Sequence, residues 1–87
     1  MPLGAPASRL RILVVEDELV VAMLLEQQLE EAGYEVVGPV GRLDDAVAAA
    51  QLPVDIAVMD VNLRGEMVFP AARILRARGV PVVFCSG

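Results

Sequence analysis

The sequence contains no lysine and no histidine, and all seven of its basic residues are arginine. Without histidine, the side chain that most often acts as a general acid or base near neutral pH is missing, which weighs against an enzyme. The net charge is −5. The arginines that cluster (Arg73, Arg76 and Arg78) are interpreted as the solvated face of one helix. Nucleic-acid binding is therefore not expected.

Cysteine and long apolar runs are also scarce. Cys85 is the single cysteine, so no disulfide can form within the chain, as expected in the reducing cytoplasm. It lies in an apolar segment, which favours a buried structural thiol. No uncharged apolar run reaches the roughly 18 residues of a membrane-spanning helix. Residues 1–9 include Pro2, Gly4 and Pro6 and are predicted to be a flexible arm rather than a signal peptide.

The rest of the chain alternates apolar strands with amphipathic helices. Its length of 87 residues suits one domain. Strands joined by helical crossovers run parallel, with helices on both faces of the sheet. The predicted elements are a strand at 11–16, a helix at 18–32, a strand at 34–38, a helix at 43–51, a strand at 54–60, a loop at 61–66, a helix at 70–78 and a strand at 80–85.

Carboxylates directly follow two of these strands: Glu16 and Asp17 follow the first, and Asp60 ends the third. Neighbouring parallel strands bring such residues to one edge of the sheet, where open α/β sheets bind their ligands. Like charges about 4 Å apart repel by roughly 4 kcal/mol at an effective dielectric near 20. The cluster therefore needs a cation or a raised pKa. Oxygen ligands suit Mg²⁺, which often also binds phosphate.

Each carboxylate also has a purely structural interpretation. Glu16 and Asp17 are suited to capping the helix that follows them, and Asp60 is a common turn residue after a strand. Their joint occurrence at the ends of two central strands favours a functional site.

These residues resemble the receiver domain of two-component response regulators, on the segments ILVVEDE (12–18), MDVN (59–62) and FCSG (84–87). The resemblance covers residues 9–87. It implies a receiver domain over residues 10–87, a flavodoxin-like three-layer α/β fold with parallel strand order 2-1-3-4. The family's fifth strand and its flanking helices have no counterpart in the sequence, so a truncated receiver is expected.

The resemblance also implies residue roles in a regulatory protein that is not an enzyme. Asp60 would be the phosphoacceptor, a nucleophile for the phosphoryl group of a histidine kinase or phosphotransfer protein, and a ligand of Mg²⁺. Asp17 would bind Mg²⁺ directly and Glu16 through water. Asn62 would contribute its backbone carbonyl, so that its side chain matters less. Ser86 would be the hydroxyl that couples phosphorylation to a conformational switch.

One departure keeps other hypotheses open. The family lysine that pairs with the phosphoryl oxygens cannot be assigned, since the chain has no lysine. Arg64 is a candidate for a substitute charge, although an exposed loop arginine is the simpler interpretation. A receiver-like dimerisation or scaffold module that is not phosphorylated is the first alternative. A Mg²⁺-dependent phosphotransferase or phosphatase using Asp60 ranks last, because no general acid is evident.

Apolar surface predicts self-association. The run at 80–85 would form a sheet edge interrupted only by Pro81. The first helix carries Val20, Met23 and Leu24 beside its main apolar stripe. Exposed apolar patches usually mark a partner. We expect a homodimer through this edge or this helix, and a cytoplasmic protein read out by protein–protein binding.

Overall fold

The computed structural model describes residues 9–85. Apart from Arg9, the predicted arm lies outside the described residues, as does Ser86. No helix in the described range is long and apolar enough to cross a membrane. In chain order the elements are β1 (Arg11–Val15), α1 (Leu19–Glu31), β2 (Glu35–Val40), α2 (Leu43–Ala49), β3 (Ile56–Asp60), β4 (Asn62–Leu63), β5 (Glu66–Met67), α3 (Phe69–Ala77) and β6 (Val82–Cys85).

Four of these strands form a sheet in the order β2-β1-β3-β6, and each neighbouring pair is parallel. With β6 as the fourth long strand, this is the predicted order 2-1-3-4, and the predicted fold class is confirmed. Strand β1 lies between β2 and β3. Its residues 12–15 are apolar and buried, as expected for a strand covered on both faces of a parallel sheet. Cys85 is only half-buried, contrary to expectation, because it ends the outer strand β6.

The two faces of the sheet are covered unequally. On one face, Leu13 and Met59 of the sheet and Leu75 of α3 are fully buried. They belong to the main hydrophobic cluster, which also contains residues of α2. The other face carries α1, which contacts β1 and β2 and buries only Ala22. Val20, Met23 and Leu24 are therefore exposed, as predicted. The residues of α1 that are more than half exposed are Leu19, Val20, Met23 and Leu24.

One of the three clustered arginines has a structural contact that the sequence did not indicate. The Arg78 guanidinium donates hydrogen bonds to the carbonyl oxygens of Ala50 and Leu52, the latter at 2.9 Å. These carbonyls lie at the end of α2, where helix carbonyls lack partners within the helix. Arg78 therefore ties α3 to α2, whereas Arg73 and Arg76 are exposed as expected.

Strand β2 continues two residues past its predicted end at Gly38. The pairing of β1 with β2 shifts register between Leu13 and Val15, and Gly38 absorbs this irregularity with a φ of +95°. A Cβ at Gly38 would lie 2.9 Å from both the Val14 oxygen and the Val40 nitrogen. Beyond the bulge, the Glu16 N–H donates to the Val40 carbonyl at 2.9 Å. Strand β2 thus supports the first carboxylate.

The segment predicted as a loop after β3 contains an antiparallel hairpin, β4–β5. Its two-residue turn, Arg64-Gly65, has φ values of 54° and 90°, the positive values that a type I′ turn requires. Leu63 is 1% exposed and anchors the hairpin in the main cluster. The Val68 N–H closes its base by donating to the Val61 carbonyl at 2.8 Å.

We expect Gly38→Ala to destabilise the protein more than Gly33→Ala. Both glycines have a φ of +95°, so both substitutions carry the backbone strain of about 1–3 kcal/mol. At Gly33 no atom lies within 4 Å of the added Cβ, whereas at Gly38 two backbone atoms do. Urea unfolding would measure the difference. Equal free energies of unfolding in the two variants would contradict the steric role of Gly38.

Candidate functional site

Three carboxylates meet at the edge of the sheet beyond β1 and β3. One oxygen from each of Glu16, Asp17 and Asp60 lies within 4.8 Å of the other two. The cause is the register of the two strands, which pairs Val15 with Met59 and so aligns the residues that follow. The structure therefore brings together the three carboxylates that the sequence singled out.

Glu16 is the most buried of the three, at 6% exposure. Burial raises the pKa of its carboxyl above the ordinary value of 4.5, and the negative charges of Asp60 and Asp17 add to the increase. The Glu18 main-chain N–H, which donates to Glu16 Oε2 at 3.0 Å, acts in the opposite direction on this pKa. The sequence analysis expected a cation or a raised pKa at this cluster, and the pKa of Glu16 is raised.

Main-chain N–H groups hold the other two carboxylates. The Arg64 N–H donates to Asp17 Oδ2 at 3.1 Å, and the Asn62 N–H donates to Asp60 Oδ1 at 3.3 Å. Each bond uses one of the two oxygens, which leaves the other available to a ligand. Asp17 and Asp60 are partly exposed, so a ligand can reach them from solvent.

Asn62 has a contact that the sequence analysis missed. Its side-chain Oδ1 accepts a hydrogen bond from the Gly65 N–H at 2.6 Å, across the turn of the hairpin. The side chain therefore contributes to the turn, a role separate from the main-chain carbonyl ligand that the resemblance implies for this residue. The signal was present in the sequence, because Asn commonly hydrogen-bonds the backbone of a turn and Gly65 marks one.

The described cluster fits a small divalent cation. One oxygen of each carboxylate lies within 4.8 Å of the other two, and Mg²⁺ usually binds through one or two carboxylates together with several waters. The donors are all oxygens, which is the set that Mg²⁺ prefers.

A cleft of about 430 Å³ adjoins Glu16 and Asp17. The β2–α2 loop lines it at Gly41, where a Cβ would lie 3.2 Å from both Asp17 Cα and the Glu16 carbonyl oxygen. The loop can approach so closely because this residue is glycine. The lining residues are Glu16, Asp17, Leu19, Ala22, Met23, Glu26, Pro39, Gly41 and Arg64.

The Arg64 side chain does not pair with the carboxylates. Within residues 9–85 the one ion pair is between Arg11 Nε and Glu35 Oε2, at 3.4 Å, and Arg64 is exposed. The simpler of its two interpretations, an exposed arginine, agrees with the structure. Its contact with the site is made by the main chain.

Comparison with known proteins identifies the class. Residues 12–87 match the response regulator receiver domain family, and the chain belongs to this family. It is 39% identical over 75 residues to the transcriptional regulatory protein PdtaR of Mycobacterium tuberculosis, covering 84% of this chain and 37% of PdtaR. The chain thus spans little more than a third of that relative.

Solved structures give the same result. The solution structure of SdrG from Sphingomonas melonis Fr1 is 44% identical, with a TM-score of 0.80, and covers 87% of this chain and 66% of that chain. The crystal structure of the response regulator PhyR from Brucella abortus is 32% identical, with a TM-score of 0.77. That match covers 93% of this chain and 36% of PhyR.

We expect Glu16→Gln to stabilise the metal-free protein near neutral pH. Because folding raises the pKa of this carboxyl, its contribution to stability is complete below the unfolded pKa. The contribution is lost as pH rises through the folded pKa. Glutamine is neutral throughout, so the variant's advantage should grow over that interval. Unfolding in EDTA as a function of pH measures it, with exposed Glu18→Gln as the control. Parallel pH profiles for the parent and Glu16→Gln would contradict the effect.

Proposed function

We propose that this chain is a phosphoryl-accepting receiver of a two-component phosphorelay, in which Asp60 is phosphorylated with the help of Mg²⁺. Asp17, Asp60 and the Asn62 main-chain carbonyl would bind the cation, with Glu16 acting through water. The observation that carries the proposal is the meeting of three carboxylate oxygens within 4.8 Å at the ends of two parallel strands.

The contacts of Asp60 suit a nucleophile. The Asn62 N–H binds Oδ1, which orients the carboxylate and leaves Oδ2 to attack phosphorus. A P–O bond forms, the P–N bond of a phosphohistidine donor breaks, and the imidazole leaves with the electron pair. Mg²⁺ supplies charge neutralisation for the phosphoryl oxygens and the carboxylates. The partial exposure of Asp60 gives the donor access.

Family membership supports the choice of partners. The donor would be a histidine kinase or phosphotransfer protein in the cytoplasm, consistent with a single cysteine in the chain. The similar protein PhyR from Bartonella quintana is an anti-anti-sigma factor by the name of its crystal structure. We propose a readout here by protein–protein binding without nucleic-acid contact. Ser86, outside the described residues, remains the predicted switch hydroxyl.

A receiver-like scaffold that is never phosphorylated is the alternative. It is favoured by the lack, within the described residues, of an ion pair between the carboxylates and a cationic side chain, because a phosphoryl group adds a charge of about −1.5 to −2 at pH 7. In the described part of the chain, the Arg64 guanidinium forms no ion pair with Asp60. The intact acidic cluster favours the phosphorylated receiver.

We expect acetyl phosphate with Mg²⁺ to add one phosphoryl group, slowly, to the parent and to Asp45→Asn, but not to Asp60→Asn. Asp45 is an exposed acid in the first turn of α2 and serves as the matched control. Intact-mass spectrometry reads the adduct, and omission of Mg²⁺ should suppress it. No adduct with any small phosphodonor would favour the scaffold.

Self-association is the second part of the proposal. Among the described residues, β6 pairs with β3 and has no strand on its other side. The Pro81 carbonyl accepts from the Ala57 N–H at 3.0 Å, so the proline main chain is directed at β3. The alternate residues Val82 and Phe84 therefore direct their N–H groups outward. Pro81 was expected to interrupt this edge. Because its main chain faces β3, the N–H that proline lacks is not one of the outward donors of the edge.

Charge favours the strand edge over the helix as the dimer contact. The exposed apolar residues of α1 adjoin Glu26 and Glu30 in a shallow pocket, so two copies of this surface would oppose like charges. Antiparallel pairing of two β6 strands centred on Val83 would instead cover a side chain that is 52% exposed. We propose a homodimer through β6.

We expect the 87-residue chain to sediment as a dimer at micromolar concentration, and Val83→Lys to sediment as a monomer. The substitution would place like charges directly opposite each other in the paired strands. Leu24→Glu, on the exposed face of α1, is the control and should remain dimeric. A monomeric parent would refute the dimer, and a monomeric Leu24→Glu variant would assign the contact to α1.

A further inference from the structure

The hairpin that follows β3 reaches back to the first strand of the sheet. At its tip, the Arg64 N–H donates to Asp17 Oδ2 at 3.1 Å, a contact between residues 47 positions apart. Arg64 is the non-glycine residue with a positive φ, 54°, in the described range. Arginine rarely adopts this conformation. Here it directs the main-chain N–H at the carboxylate.

The position of this N–H is fixed by the rest of the hairpin. The Leu63 side chain, at 1% exposure, is locked in the core next to the turn. The turn itself is braced by the hydrogen bond from the Gly65 N–H to Asn62 Oδ1. The base is closed by the bond from the Val68 N–H to the Val61 carbonyl. The donor is therefore held by contacts that do not involve Asp17.

The bond has a specific effect on Asp17. An aspartate side chain has two rotatable bonds, and a fixed donor on Oδ2 restricts both while leaving Oδ1 unbound. A main-chain N–H also stabilises the ionised carboxylate, the form that binds a cation. The hydrogen-bond partners of a metal ligand orient it and tune its affinity.

We propose that the Arg64 main-chain N–H is a positioning group that holds Asp17 ready for the cation, so that the β4–β5 hairpin controls metal affinity. The inference rests on the proposed function, in which Asp17 is a Mg²⁺ ligand. One short hairpin then serves two ligands, because Asn62 begins it and Arg64 at its tip fixes Asp17. The role belongs to the main chain and not to the guanidinium.

Two substitutions at this position separate main chain from side chain. Arg64→Gly keeps the N–H and the positive φ but removes the charge, whereas Arg64→Pro removes the N–H and cannot adopt a positive φ. We expect Mg²⁺ binding, followed by NMR titration, to be within about twofold of the parent in Arg64→Gly. In Arg64→Pro it should weaken by about 10- to 100-fold, the usual effect of losing an outer partner of a ligand.

The same variants in an Asp17→Ala background, which has no side-chain acceptor, test whether the effect passes through Asp17. There Arg64→Pro should cause no further loss of Mg²⁺ affinity, whereas general damage to the hairpin would lower it again. In metal-free protein, the Arg64 amide resonance of the parent should shift in Asp17→Ala and stay in place in Glu18→Ala.

The possible failures are distinct. A parent that binds no Mg²⁺ would overturn the proposed function. A parent that binds Mg²⁺ with unchanged affinity in Arg64→Pro would overturn the positioning role alone. Weakened binding in Arg64→Gly would assign the effect to the guanidinium, and an additive loss in Asp17→Ala would reduce it to hairpin stability. Either result would contradict the inference.

Discussion

The parallel pairing of β1 with β3 is the interaction on which the site depends. It joins Val15 to Met59 and so forces the carboxylates that follow into one small volume. Unscreened, their repulsion would oppose the very pairing that creates it. The three carboxylates have different local environments. Glu16 is buried with a raised pKa, while Asp17 and Asp60 each accept a main-chain N–H.

The fold and the carboxylate cluster were predictable because they follow from patterns that parallel sheets require. Continuous apolar strands and intervening helices indicate a parallel sheet, and residues that follow neighbouring strands meet at one edge. The strand order itself was implied by the resemblance to receiver domains. The hairpin was missed because its turn depends on a positive φ at Arg64, a conformation that an arginine in a sequence does not indicate. The end of β2 was missed because Gly38 normally stops a strand, whereas here it absorbs a register shift in one. Both features depend on tertiary contacts, with Leu63 and with β1.

Unequal packing links the site to the least buried helix. The α2–α3 face contains the main cluster, while α1 buries a single residue, Ala22. Yet α1 begins at Leu19, two residues after Asp17, and the Glu18 N–H at its start binds Glu16. The helix that buries the fewest residues is thus joined directly to the most buried carboxylate.

No ion pair joins the three carboxylates to a cationic side chain within residues 9–85, which makes the cation important in the proposed function. A phosphoryl group on Asp60 would add negative charge to a cluster that already contains three carboxylates. The protein's described contacts there are neutral main-chain N–H groups, which stabilise charge without balancing it. A divalent cation would then provide most of the counter-charge. Because binding couplings are reciprocal, phosphorylation should tighten cation binding by the factor by which the cation favours phosphorylation. The groups that aim Asp17 at the cation therefore bear on both equilibria.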